Sequence, residues 1–347
     1  MENPFFSIIL PIYNRENTIA QAVDSVRHQS YQAWELLLAD DGSTDGTQEI
    51  CCRYAEEDQR IRLLRGDHQG VCHARNSALS VSRGEYVLFL DSDNSMKSNM
   101  LECLEREIKR CPDADVYCFG FSSSAERDII PRMSRNQLVY DSPWIYQHVL
   151  PAHFNVVAQD NDFLQNYIWN KCFRRVFLQE NGIIFDENRK LWEDGIFVVD
   201  CLGSAKALCI VPDVLYNAYC TEKVEHLSSK FFSGQTRQYI EDEKAFIAQY
   251  GDRIAFAGDH YCRSNFNVLK RLFQRMVTTF GRDALAELEQ VIKEPLVIRW
   301  VKGVNPSDKE EKMLQKSILA GDAKSIYSLY HMTMGKRVAN KLRSILR

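Results

Sequence analysis

Tyr86 to Leu90 reads Tyr-Val-Leu-Phe-Leu, and the next four positions are Asp91, Ser92, Asp93 and Asn94. An unbroken apolar run of this length predicts a strand buried on both faces of a sheet. Such a strand has no room for charge, so the two carboxylates must emerge at its carboxyl end, the rim where open α/β sheets place their ligands. Two carboxylates one residue apart at an exposed rim are hard oxygen donors of the kind that hold Mg²⁺ or Mn²⁺. The triplet alone is a weak sign, because Asp113/Asp115 and Asp160/Asp162 repeat it. The first of these precedes a predicted strand and the second reads as a turn or helix start, where aspartate serves the backbone. Only Asp91/Asp93 follows a buried strand.

The arrangement recurs upstream. Phe5 to Tyr13 predicts a strand ending in Pro11-Ile12-Tyr13-Asn14-Arg15, with proline near its end because proline has no N–H for a ladder. Trp34 to Ala39 predicts another, running into Asp40-Asp41-Gly42-Ser43-Thr44-Asp45-Gly46. Ile19, Val23 and Val26 step as one helical face, Ile50 marks a second helix, and Val71 to Val81 predicts a third, closed by Gly84 as a left-handed cap. Ile61 to Leu64 and Val116 to Phe121 add strands, and Leu101, Leu104 and Ile108 another helix face. Four alternations of strand and helix predict an α/β fold with a mostly parallel sheet covered by helices on both faces. A parallel sheet gathers carboxyl ends on one rim, so Tyr13-Asn14-Arg15, Asp40-Asp41 and Asp91-Ser92-Asp93 are expected in one cleft. No G-x-G-x-x-G follows the first strand, which argues against the usual dinucleotide site.

The remainder is less regular. Residues 122–165 show no sustained periodicity, and Phe173 to Gln179 predicts a helix stopped by Asn181-Gly182. Leu191-Trp192-Glu193-Asp194-Gly195 precedes an apolar helix with Ile196, Val199 and Leu202. Ile210 to Tyr219, interrupted by Pro212, predicts an edge strand. From about Ser233 the pattern is helical, with Phe266, Leu269, Phe273, Met276 and Phe280 on one face. The expected division is residues 1–225 and a helical C-terminal subdomain, 226–347, that packs its own core and carries no catalytic constellation.

A length of 347 residues with 45% hydrophobic content accommodates such a pair. The formal net charge of −4 argues against nucleic acid as a partner. Eleven cysteines, an odd number without a C-x-x-C pair, do not form a disulfide framework; Cys118, Cys172, Cys201 and Cys209 lie in apolar stretches. That favours a reducing cytoplasm. Met1-Glu2-Asn3-Pro4 has no basic leader, and Phe5 to Ile12 is too short to span a bilayer, so the protein is expected to be neither exported nor membrane-spanning.

Taken together these stretches resemble a known family. Ser7-Ile8-Ile9-Leu10-Pro11-Ile12-Tyr13-Asn14, Asp40 to Gly46, Gly70 with Ala74-Arg75-Asn76, Gly84-Glu85-Tyr86 leading to Asp91-Ser92-Asp93, and Trp192-Glu193-Asp194 stand in the order and spacing of family 2 glycosyltransferases of the GT-A fold. The resemblance covers roughly residues 5–220. It implies an inverting enzyme, a hexosyl- or N-acetylhexosaminyltransferase, that takes a sugar from a nucleotide-diphosphate donor, a UDP-sugar. The acceptor would be a hydroxyl of a glycan or lipid-linked glycan in cell-surface polysaccharide synthesis.

By the same resemblance Pro11, Tyr13 and Asp41 would hold the base and ribose. Asp93 would coordinate Mn²⁺ or Mg²⁺ directly, with Asp91 binding ribose or assisting through water, and Asn94 stands where the family often has a further, better ligand. Asp194 would be the base that takes the acceptor's proton, while the metal offsets charge on the departing diphosphate. Other readings stay open. Glu193 could be the base, or both acids could be an ordinary acidic helix start. Asp40 or Asp41 could be turn residues. Arg75 and Lys171 could meet phosphate or, for Arg75, form a surface salt bridge, and Trp192 could stack on an acceptor sugar or cover the core.

Two other functions compete. A sugar nucleotidyltransferase also uses a D-x-D pair, but normally needs a Gly- and Lys/Arg-rich loop that Pro11 to Glu16 does not provide. A catalytically silent sugar-nucleotide-binding protein would lack the metal acid or the base, and both Asp93 and Asp194 are present. The last residues add one expectation. Val338, Leu342, Ile345 and Leu346 form an apolar stripe among five lysines and arginines, a pattern suited to peripheral contact with the inner face of the cell membrane.

Overall fold

The computed structural model describes residues 3–123, 128–130, 138–154, 167–189, 192–218 and 231–331. In chain order they form β1 (Phe6–Ile12), α1 (Ile19–Arg27), β2 (Trp34–Asp40), α2 (Thr47–Glu57), β3 (Ile61–Arg65), α3 (Val71–Ser80) and β4 (Tyr86–Phe89). There follow β5 (Ser95–Met96), α4 (Met100–Arg110), β6 (Val116–Ser123), β7 (Asp128–Ile129) and β8 (Val139–Asp141). Then α5 (Ser142–Trp144) passes through a π-helical turn into α6 (Leu150–His153), followed by β9 (Lys171–Arg174), α7 (Arg175–Glu180), α8 (Glu193–Ser204) and β10 (Ala207–Ala218).

One sheet collects the strands in the order β3-β2-β1-β4-β9-β6-β10-β5, with β7 on β6 and β8 on β10. β1 to β4 pair in parallel, and β1, β2 and β4 are almost wholly buried, as their apolar runs require. On one face Phe6, Ile8, Leu10 and Ile12 meet Ile19, Ala22, Val23 and Val26 of α1 in a core that also holds Leu36, Leu38 and Leu88. Each such side chain, fully buried, contributes about 1.5–3 kcal/mol. The sheet with its helices is the GT-A arrangement expected.

Three local expectations are corrected. The segment Phe173 to Gln179 is not all helix: Phe173 and Arg174 close β9, which runs antiparallel between β4 and β6. Four residues are too few for a periodic signal; pairing with two neighbours decides their state. β10 is not an edge strand. It pairs with β6 in parallel along one side, and on the other with β8 at Ala207–Cys209 and β5 at Tyr216–Asn217. Pro212 is tolerated because it falls in the gap between β8 and β5, where the register with β6 also shifts. Gly84 does not cap α3, which ends at Ser80. A Cβ at Gly84 would lie 2.4 Å from the Ser7 nitrogen, so this glycine serves the close approach of β1.

The described residues up to His153 and from Tyr167 to Ala218 form one compact unit; Phe154 and residues 231–331 belong to another. The second holds α9 (Gln235–Tyr250), α10 (Asp259–Phe280), α11 (Ala284–Val291), α12 (Pro295–Lys302) and α13 (Lys309–Leu319). Phe266, Leu269, Phe273 and Met276 of α10 are buried with Trp300 of α12, as the helical stripe predicted. Inside this apolar packing, Tyr261 Oη donates to Glu243 Oε2 at 2.7 Å. Among the described residues no helix is long and apolar enough to cross a membrane, and the ten cysteines there are free. The basic stripe at 336–347 and Asp160/Asp162 lie outside the described residues.

Candidate active site

The first two rim clusters meet, and the third emerges on the same rim, from the strand beside β1. Beyond β1, Asn14 takes a left-handed backbone (φ 51°), which asparagine tolerates better than most residues. Its N–H donates to Ser43 Oγ at 2.9 Å and its Oδ1 accepts the Thr44 N–H at 2.8 Å, locking the loop after β1 to the loop after β2. Pro11, opposite Ala39 in the register, lies one residue before the end of β1. Asp40 is absorbed by its own turn, accepting the Ser43 hydroxyl and, at 2.7 Å, Gln48 Nε2.

Asp41 reaches the other way. Its Oδ1 accepts the Gln69 N–H at 2.8 Å and its Oδ2 the Gly70 N–H at 2.9 Å, which fixes the entry to α3. Gly70 holds φ 102° to present that N–H. A carboxylate has about four acceptor positions, so Asp41 keeps capacity for a ligand donor. Beside it the His68 ring stacks on Tyr13 with centroids 4.2 Å apart, and His68 Nδ1 lies 3.5 Å from Asp41 Oδ2. His68 was missed in the sequence, where it is one more polar residue in a turn.

At the centre stands Arg75 of α3. It is 4% exposed, so the surface salt bridge entertained for it does not form. Nη1 lies 2.5 Å from Asp194 Oδ1 and 3.5 Å from Glu193 Oε1, Nη2 lies 3.7 Å from Asp91 Oδ1, and the guanidinium sits over the Phe185 ring. Burial weakens its charge, but Asp194, Asp91 and Glu193 outweigh that and raise its pKa. Glu193 and Asp194 open α8, whose first turn favours acids and carries them to the rim.

Asp91 follows β4 as predicted. Its N–H donates to Tyr216 Oη at 3.2 Å, and Tyr216 is buried in β10 against Trp169. Tyr216 was also missed, because in sequence it is one aromatic among the apolar residues of a strand. Loss of solvation pushes the Asp91 carboxyl up to about 7; Arg75 opposes this, and Asp194, Asp93 and Glu193 add to it. Asn94 Nδ2 lies 3.5 Å from Asp91 Oδ2, serving the acid rather than standing as a third carboxylate.

This crowding bears on the expected metal. Three acids share one arginine and Asp93 adds its charge beside Asp91, so the site is short of positive charge, and a divalent cation suits it. Among the described residues no group of three His, Cys, Asp or Glu is placed to hold a metal. Two carboxylates such as Asp91 and Asp93 would fit Mg²⁺ or Mn²⁺, which commonly complete their shell with water and phosphate oxygens.

Two lesser candidates fall away. Lys171 is fully buried, donating to the Tyr167 carbonyl at 2.6 Å and Asn170 Oδ1 at 2.8 Å. Asp115 of the second D-x-D accepts the Lys206 N–H at 2.8 Å and serves the backbone, as its position implied.

Residues 7–178 match the family model described as glycosyl transferase family 2. The chain is 28% identical over 272 residues to the uncharacterized glycosyltransferase EpsJ of Bacillus subtilis (strain 168), covering 76% of this chain and 74% of that protein. It is 42% identical over 103 residues to the Escherichia coli UDP-Glc:alpha-D-GlcNAc-diphosphoundecaprenol beta-1,3-glucosyltransferase WfgD, covering 29% of this chain and 40% of the relative. Among solved structures, S. aureus TarS 1-349 in complex with UDP-GlcNAc aligns with a TM-score of 0.63 at 21% identity, covering 95% of this chain and 92% of that one. At that identity the last likeness speaks for the fold alone. The family model and the named relatives speak for the activity: the chain is a glycosyltransferase and belongs to glycosyl transferase family 2.

Proposed function

We propose that the chain, through a catalytic domain within residues 1–225, moves a sugar from a UDP-sugar to a hydroxyl of a glycan or lipid-linked glycan, with inversion, in the synthesis of a cell-surface polysaccharide. The observation that carries this reading is the convergence of Asp91, Glu193 and Asp194 on buried Arg75 at the sheet's carboxyl rim. It joins a donor-side acid to a base candidate in one cluster. The complexes of TarS with UDP-GlcNAc and UDP support a uridine nucleotide, and the name of WfgD supports a diphospholipid-linked acceptor.

Pro11, Tyr13 and Asp41 hold the nucleoside, Asp41 accepting an imide N–H from uracil. Asp194 accepts the proton of the acceptor hydroxyl as that oxygen forms its bond to the anomeric carbon. The bond from that carbon to the diphosphate breaks in the same in-line step, and UDP leaves. Asp93 and Asp91 would hold a Mn²⁺ or Mg²⁺, which would supply positive charge for the departing diphosphate. Arg75 fixes the direction of the Asp194 carboxylate until then. The enzyme works at the cytoplasmic face of the membrane, to which residues 336–347 attach it peripherally.

The test is a panel of UDP-sugars with Mn²⁺ and a short-chain GlcNAc-α-diphospholipid, followed by UDP release. UDP release with one donor, accelerated by acceptor, is expected. Pyrophosphate release would favour a nucleotidyltransferase, and binding without turnover a silent sugar-nucleotide-binding protein.

A further inference from the structure

Among the described residues three other than glycine hold a left-handed backbone: Asn14, His68 and Trp192. All three border the site just described. Asparagine and histidine accept this conformation readily; for a residue as bulky as tryptophan it is strained. Burial of the indole could offset such strain, and Trp34, Trp169 and Trp300 are indeed buried. Trp192 is 44% exposed, so it does not cover the core.

The strained residue starts α8. The Trp192 carbonyl accepts the Ile196 N–H at 3.1 Å, so the turn that sets its φ at 60° and ψ at 20° is the same turn that presents Glu193 and Asp194. Whatever hydroxyl gives its proton to Asp194 must come within hydrogen-bond reach of that carboxylate. Trp192 caps the turn that carries this carboxylate, two positions before it, which leaves its indole in reach of a ring bearing the hydroxyl. A pyranose presents on one face a patch of C–H bonds bearing partial positive charge, which an electron-rich indole face attracts while its hydroxyls remain free to bond elsewhere.

We infer that Trp192 is the stacking platform for the acceptor's sugar ring, and that its left-handed backbone is retained because it aims the indole there. This rests on the transferase reading above, and it adds a ligand class, a pyranose face, to that reading.

W192G and W192F test it. Glycine takes the left-handed conformation without strain, so W192G should melt no lower than the wild-type protein, and about a few degrees higher. With saturating UDP and Mn²⁺ present, saturation-transfer NMR is read on methyl β-glucoside and methyl N-acetyl-β-glucosaminide. The wild type should saturate the C–H protons of one ring face, W192G should lose at least fivefold of that signal, and W192F should keep most of it. Calorimetry should find UDP affinity within twofold across the three proteins. Equal signals in wild type and W192G, or none in the wild type, overturn the inference. So does a W192G protein that melts well below wild type, since the indole would then be holding the fold. Failure of the wild type to bind UDP with Mn²⁺ removes the transferase reading itself, and this inference with it.

Discussion

Arg75 Nη1 and Asp194 Oδ1 lie 2.5 Å apart although 119 positions separate them in the chain. The same guanidinium reaches Asp91 at 3.7 Å, so a donor-side acid and the base candidate share one buried counter-ion. A carboxylate held this way is fixed in direction by its counter-ion. On the proposed reading, a donor bound next to Asp91 would change the charge that Arg75 sees.

Asp194→Asn keeps shape and hydrogen bonding and removes the ability to take a proton. Transfer should fall by on the order of 10²–10⁴ while calorimetry with UDP and Mn²⁺ is little changed. Transfer at the wild-type rate would pass the role to Glu193.

Arg75→Met leaves three crowded carboxylates without their arginine. Breaking a buried pair in this way should cost about 2–4 kcal/mol in urea unfolding. A loss below about 0.5 kcal/mol is what a solvated surface pair gives, and would contradict the burial described.

Asp93→Ala should abolish the Mn²⁺-dependent part of UDP binding and leave the melting temperature near that of the wild type. The two titrations, with and without Mn²⁺, should then coincide. Undiminished metal-dependent affinity would take Asp93 out of the site.

The helical unit supplies a pH signature of its own. Burial pushes the Glu243 carboxyl from an ordinary 4.5 up to about 7; the Tyr261 hydroxyl pulls it down, and neighbouring Asp242 pushes it further up. Between those values the folded chain holds a proton that the unfolded chain has lost, so stability falls as pH rises from about 4.5 to about 7. Glu243→Gln removes that dependence. Unfolding at pH 5 and pH 8 should show the variant gaining on the wild type by on the order of 2–3 kcal/mol at the higher pH.

Truncation after Met334 removes the basic stripe. Sedimentation with anionic liposomes should then lose a binding component that, in the full chain, weakens with salt. Equal binding by the two proteins would remove the membrane from the account.

Much of this was open to a reading of residue order. β1, β2 and β4 announce themselves because strands buried on both faces are largely apolar, and Asp41, Asp91 and Asp93 because carboxylates next to such a strand belong at its end. Asp194 was legible through family resemblance rather than through its own neighbours. What was hidden depends on contacts across the chain. Lys171 to Arg174 carry no strand pattern of their own, and Pro212 reads as an edge signal until β8 and β5 are seen to leave it a gap. Arg75 looks like any helix arginine until Glu193 and Asp194 arrive from far downstream. His68 and Tyr216 act through a ring face and a hydroxyl, and no spacing rule marks either.

The insertion of β9 between β4 and β6 has a consequence for biosynthesis. Until residues 171–174 have left the ribosome, β4 and β6 each present an unpaired, apolar edge to whatever other chains are near. The pairing that closes both edges joins Leu88 to Cys172, a loop closure of long range and therefore slow. The nascent N-terminal half is thus the aggregation-prone stage of this protein's life, the interval in which a chaperone would matter most.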